Sequence, residues 1–89
     1  MPKVELAKAF QRHVAGPPEV VAGRTAREVL DAYFVLHPEV RSYVLDERGV
    51  VRKHVALFVN DEQVTDRAEL AVPVGDRDVL HVFQALSGG

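Results

Sequence analysis

One stretch of this chain carries both of its own boundaries, and it limits the folds open to the rest. Thr25-Ala26-Arg27-Glu28 is a capping box, in which the Thr25 hydroxyl can accept from the Glu28 amide while the Glu28 carboxylate reaches back to the Thr25 amide. Ala26, Val29, Leu30, Tyr33 and His37 then follow the i, i+3, i+4, i+7 progression of a helix that buries one stripe. Pro38 disfavours helical geometry at His37 and closes the segment. Aromatics at helical spacing, here Tyr33 and Phe34, read as core rather than as a ligand platform. An amphipathic helix has to lay its stripe on a second layer, and the flanking sequence supplies β-type runs for one.

Before the helix, Val4, Leu6 and Phe10 share parity against Lys3 and Glu5, which predicts a half-buried strand from about Lys3 to His13, with Lys8 breaking the pattern. Ala15-Gly16-Pro17-Pro18 is a turn cluster, and Glu19 to Gly23 reads as a strand returning beside the first. After the helix, Tyr43-Val44-Leu45 and Val50-Val51 flank the polar turn Asp46-Glu47-Arg48-Gly49, a second hairpin. His54 to Val59 is the most continuous β-type run and predicts a central strand ending at the turn residues Asn60-Asp61. Asp66 to Leu70 suggests a short helical turn, Gly75 to Asp78 a reverse turn, and Val79 to Phe83 a last strand.

That order predicts an α+β roll, a mixed sheet of four to five strands with one main helix across its face, which is the β-grasp or ubiquitin-like arrangement. In it the last strand runs parallel to the first in the middle of the sheet. Leu80 and Val82 then point to the helix, while His81 and Phe83 face outward. An outward Phe costs solubility unless something covers it.

Composition bounds the function. Eighty-nine residues that are 47% hydrophobic make one core, giving a single domain over residues 1–84 and a flexible tail, 85–89. No apolar run is long enough to span a bilayer, and Met1-Pro2-Lys3-Val4-Glu5 opens no apolar signal region, so the expected compartment is the cytoplasm. Zero cysteines remove disulfides, thiolate nucleophiles and Cys-ligated metals. A net charge of −2 leaves no overall positive field for nucleic acid. The two serines are Ser42 and Ser87, and the second lies too near the end to be surrounded by a base and an oxyanion hole. His13, His37, His54 and His81 form no i, i+4 pair, and Gly16, Gly23, Gly49 and Gly75 stand alone, outside any phosphate-binding spacing. These features point away from an enzyme and from a bound cofactor.

The chemistry concentrates in Gln84-Ala85-Leu86-Ser87-Gly88-Gly89. At average Gly usage two terminal glycines arise by chance in about one chain in two hundred. Five extended residues reach at most about 17 Å, enough to insert a terminal carboxylate into a partner's active site while the domain stays outside. Glycine lets the last two units enter a narrow channel, since no Cβ meets the walls. An α-carboxylate, with a pKa of about 3.5, is a poor electrophile and needs activation, naturally by condensation with ATP on another enzyme to an acyl-adenylate. Attack by sulfur then gives a thiocarboxylate, and attack by an amine gives a conjugate.

The capped helix Thr25 to Leu30, the strand Arg52 to Asn60, the turn Asp76-Arg77-Asp78 and above all Ala85 to Gly89 resemble the ubiquitin-like sulfur carrier proteins of the ThiS/MoaD family across Lys3 to Gly89. The His-Val-x-x-Phe-Val-Asn segment is most similar to the branch of molybdopterin synthase small subunits and CysO-type carriers of cysteine biosynthesis. The resemblance implies that the Gly89 carboxylate, presented with Gly88, is adenylated by a ubiquitin-activating-like enzyme, converted to a thiocarboxylate and used as a sulfide donor. ATP belongs to the activating enzyme, and the carrier binds no cofactor and supplies no catalytic residue. The family docks on the activating enzyme and on a sulfur-acceptor synthase subunit through its outer sheet face and the residues before the tail, which here match His81, Phe83, Leu86 and Ser87. This chain departs from the family pattern at Arg77 within Asp-Arg-Asp, at Asp61 after Asn60, and at Gln84 where a proline is common. Two other readings share the fold: a ubiquitin-like modifier joined through Gly89 to lysines, and a β-grasp interaction module whose glycines are incidental.

Overall fold

The computed structural model describes residues 1–84. Five strands, β1 Lys3–Leu6, β2 Glu19–Val20, β3 Val55–Val59, β4 Glu62–Gln63 and β5 Val79–Gln84, form one mixed sheet in the order β2-β1-β5-β3-β4. Two helices, α1 Ala26–Leu36 and α2 Pro38–Val44, share its core. β5 runs parallel to β1, with Val4 opposite Leu80, and antiparallel to β3, with Leu57 opposite Val82. This is the expected β-grasp sheet, with the last strand in its middle.

The core follows the alternation of the strands and the stripe of the helix. Val4, Leu57, Leu80 and Val82 meet Val29, Leu30 and Tyr33 with essentially no exposure, and among the described residues no polar or charged residue is buried. Tyr33 takes its phenol inside, where burial pushes its pKa up to about 12, and the neutral hydroxyl donates to the Pro17 carbonyl at 2.9 Å. Gly16 lies against that ring: a Cβ there would collide with the Tyr33 hydroxyl and with Leu6.

Several expectations need correction. The first strand ends at Leu6 rather than near His13. Where Lys8 interrupts the alternation the chain turns, and a 3-10 helix at Phe10–Arg12 delivers Phe10 to the core. Thr25 caps α1 as expected, accepting from the Glu28 amide at 3.2 Å, but the Glu28 carboxylate accepts from Arg24 at 2.9 Å instead of Thr25. Pro38 ends α1 and also opens α2, because the first helical position needs no N–H. Tyr43 and Val44 are therefore helical, and Val40 and Val44 form a buried i, i+4 pair.

The second hairpin shrinks to an isolated bridge between Leu45 and Val51 around the Asp46–Gly49 turn, in which Gly49 does take a positive φ of 80°. β3 is an interior strand, but the middle place belongs to β5. Asn60, left-handed at φ 54°, turns the chain into β4. Asp66 to Leu70 makes no helical turn: the Asp66 carboxylate gathers the amides of Glu69 and Ala71 at 2.9 and 3.0 Å, and Leu70 sits at φ 56°.

Those two amides hold the Asp66 carboxyl below the usual carboxylate range. A carboxylate depressed on folding stabilises the native state above its unfolded pKa of about 3.9 and loses that contribution as pH falls through the folded value. Asp66→Ala is therefore expected to lower Tm at neutral pH, with the gap to the parent closing as melts are repeated down to strongly acid pH. A gap independent of pH would contradict it. Gly16→Ala should cost about 1–3 kcal/mol by overpacking Tyr33, read as a lower urea midpoint. An unchanged midpoint would mean that the loop yields freely.

Candidate functional site

The outer face of the sheet is set by β5. Successive side chains of a strand alternate, so with Leu80 and Val82 committed to the core, His81 and Phe83 must emerge on the other side. Both do so, as expected, and Phe83 is 38% exposed. The register adds what the sequence reading omitted. Phe58 on β3 stands directly opposite His81, and Ala56 opposite Phe83. Phe83 and Phe58 are thus diagonal neighbours, their rings 5.4 Å apart and nearly perpendicular, and the His81 ring lies 5.8 Å from Phe83 in a stacked arrangement.

Phe58 was hidden because His54 to Val59 reads as one unbroken β-type run. Only the pairing with β5 shows that alternate members of the run face outward.

The three rings border an open hollow of about 520 Å³, completed by Asn60 and Asp61. Asn60 is fixed at both ends of its amide: it donates to the Asp78 carboxylate at 2.9 Å and accepts from the Val79 amide at 3.0 Å. That cross-link joins the end of β3 to the start of β5, and with the Gly75 amide it holds the Asp78 carboxyl low. On the β1 side, Glu5 lies opposite His81. Its carboxyl is pulled down first by a hydrogen bond from Lys3, at 2.8 Å, and is 3.9 Å from His81 Nδ1. The result is an apolar aromatic centre with charged residues at its margin.

No nucleophile with a base and an orienting partner stands here, and among the described residues no group of three or more His, Asp or Glu could hold a metal ion. No helix of the described residues is long and apolar enough to cross a membrane. The arrangement can bury an apolar side chain of another protein, and β5 hands the chain directly from Phe83 and Gln84 to residue 85. Leu86, Ser87, Gly88, Gly89 and the tail expected at 85–89 lie outside the described residues.

Fold and surface together define a small β-grasp protein with an aromatic outer face beside the strand that leads into its C-terminal residues. The chain belongs to the ThiS family, whose sequence profile matches residues 9–89. A search of curated proteins finds no match. Among solved structures, SAMP1 from Haloferax volcanii is 27% identical, with 99% of this chain and 98% of that chain covered at a TM-score of 0.76. CysO in the BexX/CysO complex of Amycolatopsis orientalis superposes over 100% of both chains at 23% identity and a TM-score of 0.81. CysO of Mycobacterium tuberculosis does so over 97% of this chain and 100% of that one, at 20% identity and 0.80.

The two faces of β5 should separate in mutagenesis. Leu80→Ala removes a fully buried side chain and is expected to cost about 2–5 kcal/mol in denaturant unfolding. Phe83→Asp, on the open face, is expected to keep the parent's circular dichroism and most of its Tm. Equal losses would mean that Phe83 belongs to the core.

Proposed function

We propose that this protein is a sulfur carrier. A partner enzyme adenylates the Gly89 carboxylate with ATP, the adenylate is exchanged for sulfur, and the resulting thiocarboxylate donates that sulfur in a biosynthetic reaction of the molybdopterin or cysteine type. The observation that carries this reading is membership of the ThiS family over a match that runs through Gly88 and Gly89. The surface supports it, since an aromatic face sits on the very strand that feeds those residues. His81, Phe83 and Phe58 form the docking surface for the activating enzyme, and Leu86 and Ser87 continue it toward the channel.

The division of labour is chemical. A carboxylate does not acylate sulfur unaided; adenylation supplies a stable leaving group, and every group needed for it resides in the partner. The carrier contributes presentation: a rigid sheet to grip, a sterically minimal Gly88-Gly89 to thread, and a carboxyl carbon to activate. The structure of the Amycolatopsis relative is a complex with BexX, a precedent for this fold meeting a partner chain.

A second reading is favoured by the likeness to SAMP1, a small archaeal modifier protein, at 27% identity. In it an amine of another protein takes the place of sulfur and Gly89 ends in an isopeptide bond. The two diverge only after the adenylate, so the product decides between them.

The test is the intact mass, with fragmentation of the last residues, of the protein incubated with host extract, ATP and a sulfur source. Exchange of one terminal oxygen for sulfur at Gly89 is expected, and deletion of Gly89 should abolish it. Higher-mass conjugates that vanish on the same deletion would establish the modifier instead, and an unaltered carboxylate would overturn both. Phe83→Asp is expected to slow the conversion at least about tenfold, the loss that removing a buried aromatic anchor brings to an interface.

A further inference from the structure

Charge is sorted by end along one strand of this chain. The segment containing β3 begins at Arg52-Lys53-His54 and continues past its end into Asn60-Asp61-Glu62, so opposite signs flank one strand. Beyond that far end a hollow of about 570 Å³ is lined by Asp61, Glu62 and Asp78 and by no cation. At the near end two hollows, of about 330 and 560 Å³, share Arg52 and His54, and Lys53, Arg67 and His13 line one or the other.

Asp46 is the one acid lining either hollow, and its carboxylate is already engaged by the Arg48 guanidinium at 3.2 Å and by the amides of Arg48 and Val50. Arg52 donates to the Ser42 carbonyl and Arg67 to that of Val55, both at 2.7 Å. Such bonds satisfy donors without cancelling charge. Among the described residues no carboxylate lies within ion-pairing distance of Arg52, Lys53 or Arg67.

Two further facts locate this end. Gln84, the last described residue, lines the smaller hollow, so the positive end is where the chain passes into residue 85. The same hollow has the buried side chains of Phe10 and Val55 and the half-exposed ring of Tyr43 in its wall, an apolar wall beside Arg52 and the imidazoles of His13 and His54.

We infer that this end docks on an acidic protein surface surrounding the opening that admits Gly88 and Gly89, with Arg52 and Lys53 facing its carboxylates and the Tyr43 ring, over Phe10 and Val55, receiving one apolar side chain. The inference rests on the carrier reading and adds to it the character of the partner's rim. A chain of net charge −2 is repelled by an acidic surface as a whole. Sorting the charge by end reverses that for one orientation, since only the tail-bearing end is attracted. The field fades over about 8 Å at physiological salt, so it selects orientation at close range. The few cations and the apolar wall fit a protein better than a polyphosphate backbone.

The test compares initial rates of thiocarboxylate formation on Gly89, by intact mass, in ribonuclease-treated host extract with ATP and a sulfur source, at low and high salt. Lys53→Glu is expected to be slower by about five- to tenfold at low salt, with the deficit shrinking at high salt. Arg77→Glu makes the same charge change in the Gly75–Asp78 turn at the acidic end and is expected to stay within about twofold of the parent. Circular dichroism checks that both variants fold.

A parent-like rate for Lys53→Glu, an equal loss in both variants, or a deficit unaffected by salt would each overturn the inference while leaving the carrier reading intact. A deficit present only before ribonuclease treatment would assign the cluster to RNA and also overturn it. A parent chain that is never charged with sulfur would remove the carrier reading, and this inference with it.

Discussion

Everything in this molecule hangs on β5 having a neighbour on each side. Its amides and carbonyls are shared between β1, which it meets in parallel, and β3, which it meets antiparallel, so six residues near the C-terminus close a sheet begun by the first six. A parallel pairing of that kind needs a crossover, and α1 with its stripe of Ala26, Val29, Leu30 and Tyr33 fills the space the crossover leaves. Once Leu80 and Val82 are committed to that core, the period of two leaves His81 and Phe83 no choice of side. The aromatic face is thus a by-product of the same register that holds the fold together. Its position beside the C-terminal residues follows from which strand is last.

Much of this could be read from residues alone, for reasons that are physical. Thr25, Glu28 and Pro38 marked α1 because caps and proline act locally, and the alternation of Val79 to Phe83 assigned both faces of β5 before its neighbours were known. The failures share a cause. Tyr43, Val44 and Leu45, β-type residues beside a turn, read as strand, yet Val44 lies one helical turn after the buried Val40 and tertiary burial overrides propensity. Phe10 has the parity of a strand residue and reaches the core from a 3-10 helix instead, since only the break at Lys8 signalled the bend. Phe58 needed a partner strand to be recognised as outward. Opposite charges flanking β3 are visible in the sequence, but their relation to the hollow under Gln84 is a property of the folded chain.

For a carrier of the proposed kind, with no catalytic constellation on its described surface, telling partners apart falls to that surface, which divides the task. The rings of Phe58, His81 and Phe83 offer area that water leaves readily, and under the proposed function that area sets how firmly a partner holds. The carboxyls at its margin are tied down, Glu5 by Lys3 and Asp78 by Asn60, which favours their charged forms. A surface organised this way gives another molecule something rigid to read.

The strands at the two borders of the sheet are only two residues long, Glu19–Val20 on one side and Glu62–Gln63 on the other. A border that short offers almost no row of unpaired main-chain groups for a foreign strand to extend. Edges of that length leave little for β-augmentation, in which an incoming peptide becomes the sixth strand. The same brevity guards against edge-to-edge aggregation in a chain whose seventeen valines would otherwise favour it. Under the proposed function, partners engage it through side chains on a face, which can be exchanged without disturbing the sheet that presents them.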